Sequence, residues 1–312
     1  MTQRALIDAH HHLWDLGRLD YPWLQGEGEP GFFLGDYWAL RRNYLPEDFR
    51  RDTASVRLLA SVHCEAEHSR ADPVAETRWL TLQQARTGLP TVLVAWAPLL
   101  SPAAEVILKA HLQSPLLRGI RYKPLTARTP GEIQRVRGQP GSLQDPAWHA
   151  ALALLQRLGL SWDLRVPWWH LEEAAVLLEA HPELTVVLNH TGLPWDRTPT
   201  GLALWRRGMQ ALARLPHVAV KVSEFGLPEP GWDVKQNRRL VRDTLELFGH
   251  ERCLFASNFP VAGLRIGYAE LVAHFEAFLA QDTPAQREAF FWRTAQQVYR
   301  IPLTIPLTIP VP

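Results

Sequence analysis

The sequence predicts a single eight-stranded α/β barrel. Three observations carry that expectation. Eight apolar, strand-length runs alternate with helical patterns along the chain, and such alternation implies parallel strands joined by right-handed crossovers. The 312 residues accommodate such a barrel, which needs about 250, plus insertions. The rival, an open doubly wound sheet, would carry a glycine-rich phosphate loop after its first strand. Here Asp8-Ala9-His10-His11-His12 stands in that place.

The first strand, within residues 5–15, runs from Ala5-Leu6-Ile7 into Asp8, His10 and His12 at alternate positions, with Trp14 on the same parity. Alternate residues of a strand share a face. His10 and His12 therefore project together while His11 points away, and two imidazoles on one face make half a metal site. An insertion over about 17–52 follows, rich in aromatic residues, glycine and proline. It is too long for a plain connection, and it leaves directly from the histidine-bearing strand, so it is expected to wall a pocket.

Strands are then expected over 58–66, 91–97, 117–123, 160–166, 185–189, 218–222 and 253–257. Helices are expected over 73–87, 102–112, 146–158, 170–180, 202–215, 235–248, 268–280 and 284–299. The barrel domain spans 1–300. Residues 301–312, where Pro-Leu-Thr-Ile repeats, form a proline-rich tail expected to be extended or disordered.

Composition narrows the function classes. A net charge of +1 gives no reason to expect nucleic acid or an anionic membrane as partner. No apolar run approaches the roughly 20 residues that span a bilayer. The start of the chain lacks the pattern of a signal peptide. Cys64 and Cys253 each lie in an apolar run and read as buried free thiols. A cytoplasmic protein with a small-molecule substrate is the expectation. Aromatic segments in the insertion are compatible with a homodimer without requiring one.

Barrels of this kind build their sites at the C-terminal ends of the strands. The polar residues available there are His10 and His12; His63 and Glu65; Arg121 and Lys123; Asp163 and Arg165; His190; Lys221 and Ser223; and Asn258. Charged groups facing a barrel interior are costly unless paired or bound to a ligand. Each has a plainer explanation. His63 reads more readily as a hydrogen-bonded core histidine, while Arg121 and Asp163 read equally as an ion pair between neighbouring strands or as substrate-binding groups. His190, between an apolar strand and Thr191-Gly192, is well placed to face His10 and His12 across the barrel.

Three motifs in order, Asp8-x-His10-x-His12-x-Trp14, Asn189-His190-Thr191-Gly192 and Ala256-Ser257-Asn258-Phe259-Pro260-Val261, resemble the amidohydrolase superfamily. The likeness is to its amidohydrolase-2 branch of lactone hydrolases and decarboxylases and extends to about Arg300. The resemblance implies a divalent metal, zinc or manganese, on His10 and His12. His190 would bind that metal or the substrate. It also implies a strand-eight aspartate that activates water. Asn258 stands at that position, and an amide cannot accept a proton from water at ordinary pH. The replacement candidates are Glu65, Asp163, Glu224 or a histidine. Glu65 comes first because its strand adjoins the one bearing His10 and His12.

The resulting expectation is a metal-assisted hydrolase of a small anionic cyclic ester, a sugar-acid or muconate-type lactone. Arg121, Lys123 or Arg165 would hold the substrate carboxylate, and Trp14, Trp169 and His170 would line the mouth. The alternatives are a non-oxidative decarboxylase on the same barrel and a non-catalytic binding protein.

Overall fold

The computed structural model describes residues 3–28, 31–229 and 231–303. Eight parallel strands follow one another in chain order: β1 (Ala5–His11), β2 (Arg57–Cys64), β3 (Val92–Ala95), β4 (Leu117–Ile120), β5 (Ser161–Leu164), β6 (Val186–Leu188), β7 (Val218–Val222) and β8 (Cys253–Phe255). The barrel closes just beyond the strand ends, where the Asn258 N–H donates to the His10 carbonyl at 2.7 Å and the His12 N–H to that of Phe259 at 2.8 Å. Asp8 ties the same seam. Its carboxylate accepts from the backbone N–H of Ser257 at 3.0 Å and from the Tyr268 hydroxyl at 3.1 Å.

The strands are nearly continuous apolar runs, as expected where both faces of a parallel sheet are covered. Ile7, Val62, Val94, Val187 and Leu254 fill the interior, and Tyr299 joins this inner core from the last helix. Larger residues, among them Trp148, Trp162 and Trp205, pack between barrel and helices. The packing leaves no room for a side chain at Gly119, where a Cβ would stand 2.1 Å from Ser161 Oγ on the neighbouring strand.

Several strands are shorter than the apolar runs that predict them, because the chain leaves the ladder early at the C-terminal mouth. The run 284–299 forms Pro284–Glu288, a π-helical turn over Ala289–Arg293, and Thr294–Val298, rather than one uniform helix. Among the described residues the insertion carries two short α-helices, Pro22–Gln25 and Pro46–Asp52, and a 3-10 turn over Trp38–Leu40. Most of the predicted tail, 304–312, lies outside the described residues. No helix among the described residues is long and apolar enough to cross a membrane.

Candidate active site

A cavity of about 570 Å³ opens at the C-terminal mouth. Its chemistry divides into three walls. His12, His190 and Asn258 form one. Arg70, Arg121, Lys123 and Arg165, with Glu67, form the second. Trp23, Phe32 and Phe33 of the insertion and Trp195 after β6 form the third, so the insertion does wall the pocket.

The imidazoles are neutral and their tautomers can be read from their partners. His12 Nδ1 lies 2.8 Å from the Cys64 carbonyl, which can only accept, so Nδ1 carries the proton. Burial and the nearby Arg121 lower the pKa of His12 to about 4. Its Nε2 is therefore a bare lone pair, 3.0 Å from Asn258 Oδ1. The His10 ring lies 5.0 Å from that of His12 and 4.5 Å from that of His190. Burial and Lys221 hold its pKa well below the usual value. The Lys221 ammonium stands 3.3 Å from His10 Nδ1, which leaves the His10 proton on Nε2. His190 Nδ1 is 2.9 Å from Ser223 Oγ, and burial followed by Arg165 lowers its pKa too.

Strand-end backbone is strained where these groups meet. Glu67, His190, Glu224 and Asn258 all have φ between 56° and 60°, a left-handed conformation that costs non-glycine residues on the order of 1–3 kcal/mol each. Such strain concentrates at functional sites.

Two of the predicted catalytic carboxylates are committed elsewhere. Glu65 accepts from Arg121 Nε at 2.7 Å, from Arg70 at 3.3 Å and from the Glu67 N–H at 2.9 Å. Asp163 accepts from Lys221 Nζ at 2.5 Å, the Tyr299 hydroxyl at 3.0 Å and Asn189 Nδ2 at 3.0 Å. Arg121 and Asp163 thus pair with Glu65 and Lys221 rather than with each other. The carboxyl that adjoins Asn258 is Glu224, whose Oε2 accepts from Asn258 Nδ2. Burial pushes Glu224 up to about 7.

Among the residues expected to bind substrate, Arg121, Lys123 and Arg165 line the cavity; Trp14, Trp169 and His170 do not. Trp14 is buried, donates to the Arg42 carbonyl at 2.6 Å and supports Trp23 edge-on. Trp169 Nε1 donates to the Ala127 carbonyl at 3.1 Å, and His170 Nε2 accepts from the Ala127 N–H at 2.9 Å. Both hold down the loop after β4. His63 donates to the Leu13 carbonyl at 3.2 Å, as a core histidine would. Sequence reasoning passed over Glu67 and Arg70. Their signal was available in the dense polar stretch Glu67-His68-Ser69-Arg70 that follows β2.

Metal-holding capacity is uneven. Among the described residues, one group of three histidine, cysteine or carboxylate side chains has its ligand atoms within 4.8 Å of one another: His10, Cys64 and Asp163. Lys221 places its ammonium against two of these three, so the chain's own cation already meets that need. The donor set facing the cavity fits an ion better. His12 Nε2 and Asn258 Oδ1 are acceptors whose 3.0 Å separation lets both reach one ion.

A parallel barrel with imidazoles and cations gathered around a cavity at its C-terminal mouth is the arrangement of a barrel enzyme. The chain belongs to the amidohydrolase family, which its sequence matches over residues 7–301, and it is a hydrolase. It is 34% identical to the uncharacterised protein y4mH of Sinorhizobium fredii, over 96% of this chain and 100% of that one. It is 28% identical to an L-fucono-1,5-lactonase of Burkholderia multivorans, over 95% of this chain and 96% of that one. A solved amidohydrolase from Burkholderia multivorans with bound zinc superposes with a TM-score of 0.78 and 26% identity, over 96% of this chain and 100% of that one.

Proposed function

We propose that the chain hydrolyses a small cyclic ester bearing a carboxylate, a lactone of a sugar acid or of the muconate type. The observation that carries this reading is that acceptors and cations line one cavity: His12 Nε2 and Asn258 Oδ1 share it with Arg70, Arg121, Lys123 and Arg165. Arg70, Arg121 and Lys123 pair with Glu65 and Glu67 and outnumber them by one. Arginine binds a carboxylate through two parallel hydrogen bonds. The lactonase of Burkholderia multivorans supports the ester half of the reading.

With the carboxylate on the cation wall, the ester carbonyl is held toward the acceptor pair. A water held there donates one O–H to Asn258 Oδ1 and the other to His12 Nε2. Its oxygen bonds to the carbonyl carbon as the proton passes to His12. The bond to the ring oxygen breaks, and the proton returns from His12 to that oxygen, giving an open hydroxy acid. Arg121 lowers the proton affinity of His12; a substrate anion beside Arg121 offsets that charge and raises it. A divalent ion, zinc or manganese, held by His12 and Asn258 with His190 on the same wall, would occupy the His12 lone pair and supply in its place Lewis acidity to the carbonyl and a water of lowered pKa.

The test is a panel of acid-bearing and neutral sugar lactones, assayed by proton release with chelator-treated and zinc-supplemented protein. Acid-bearing lactones should be hydrolysed with the lower KM. A folded protein, zinc-supplemented or metal-free, that accelerates no lactone above its spontaneous rate would falsify the reading.

A further inference from the structure

We propose that Glu224 is a positioning residue, which fixes the Asn258 carboxamide so that Oδ1 rather than the NH2 group faces His12 and the cavity. This rests on the reading above in taking the cavity as the site of reaction. His12 spends its one N–H on the Cys64 carbonyl, so Nε2 can only accept. Asn258 spends Nδ2 on Glu224 Oε2, so Oδ1 meets Nε2 at 3.0 Å as acceptor against acceptor. Glu224 Oε1 is buried without a hydrogen-bond partner. The network is one electropositive group short at the edge that faces the cavity.

Buried acceptors left unpaired are costly. Turning the amide over would satisfy His12 from within and close the gap. With Glu224 ionised, that turn would set Oδ1 against a carboxylate oxygen that can only accept. Glu224 therefore keeps two convergent lone pairs open to whatever the cavity supplies, a divalent cation or the O–H of water. The backbone agrees, since Glu224 and Asn258 reach each other from β7 and β8 with φ of 60° and 58°. An aspartate at 258 would present an acceptor whichever way it turned. A carboxamide has one acceptor end and needs a neighbour to orient it.

The test needs no substrate. Zn²⁺ affinity is measured by competition with a chromogenic chelator, and the His12 ring nitrogens are followed by ¹⁵N NMR in metal-free and zinc-titrated protein. In the wild type, His12 Nε2 should lack a side-chain donor before zinc and shift on its addition. In Glu224→Gln, the new amide can donate to Asn258 Oδ1 and release the turn. Its zinc affinity should fall about tenfold, with His12 Nε2 hydrogen-bonded before any metal is added. Adding Asn258→Asp to that variant restores an acceptor in either orientation and should bring affinity back to within about threefold of the wild type.

The proposal is overturned by zinc that leaves wild-type His12 Nε2 unchanged, by Glu224→Gln that binds zinc as tightly as the wild type, or by a folded double variant that regains nothing. A wild type whose Nε2 already accepts from the Asn258 amide without metal overturns it even if Glu224→Gln does not fold. The lactone reading fails separately, when zinc behaves as expected and no lactone is hydrolysed.

Discussion

Asn258 Oδ1 stands 3.0 Å from His12 Nε2, one acceptor facing another across the seam where β8 meets β1. The Asn258→Asp change alone keeps the acceptor but sets a second carboxyl against buried Glu224. Two carboxylates sharing a site cannot both ionise freely. We expect kcat to fall and stability to drop. The Glu224→Gln and Asn258→Asp changes should be non-additive, with a coupling of about 1 kcal/mol or more in a double-mutant cycle. Steady-state kinetics and urea unfolding of the four proteins check this.

Lys221 and Asp163 form a salt bridge of 2.5 Å with both side chains fully buried. Removing one partner leaves a buried charge uncompensated. Lys221→Met should cost roughly 3–5 kcal/mol in urea denaturation. A loss under 1 kcal/mol would mean that water or another cation replaces the ammonium.

The cation wall predicts a dependence on charge and salt. Lys123, which pairs with Glu67 and is partly exposed, is the most readily tested member. Lys123→Gln should raise KM for acid-bearing lactones roughly tenfold while leaving neutral ones nearly unchanged. The advantage of the anionic substrates should shrink as ionic strength rises. Equal effects on charged and neutral substrates would contradict the assignment.

Glu76 gives a stability prediction with a definite sign. Its Oε1 accepts from the Tyr21 hydroxyl and the Ala66 N–H, each at 3.1 Å. Burial, then Glu65, raises its pKa from 4.5 to about 8. The folded protein therefore keeps this proton at pH values where the unfolded chain has lost it. The contribution is fully present below 4.5 and is lost as pH rises to about 8. Glu76→Gln should remove that loss, so the variant gains on the wild type between pH 5 and pH 8 in chemical denaturation.

His11 works in the opposite direction. It is stacked on Phe49 at 4.0 Å, neither ring nitrogen has a hydrogen-bond partner, and burial lowers its pKa to about 3. The unfolded chain takes up a proton below about 6.5 that the folded protein refuses, so stability is lost as pH falls. His11→Phe should stabilise the fold, more at pH 5 than at pH 8. A destabilisation equal at both would point to overpacking instead.

The barrel was legible because its signals are local. Alternating apolar runs and helical patterns survive in the linear sequence, and the alternation of His10 and His12 against His11 carries directly into space. The cations Arg121, Lys123 and Arg165 reach the cavity for the same reason. Trp14, Trp169 and His170 do not, because their immediate neighbours, the Arg42 and Ala127 backbones, turn them into supports.

By itself the sequence determined the eight-stranded order, the C-terminal mouth as the place for chemistry, and the substitution of Asn258 for the usual aspartate. Tertiary structure alone decided which carboxylates are spent and which is not. Glu65 and Asp163 look as available as Glu224 in the chain, yet Arg121 and Lys221 claim them. These partners lie 56 and 58 residues away from them. Ion pairing and tautomer choice depend on distances of a few ångströms between strands far apart in sequence. No strand carries that information within itself.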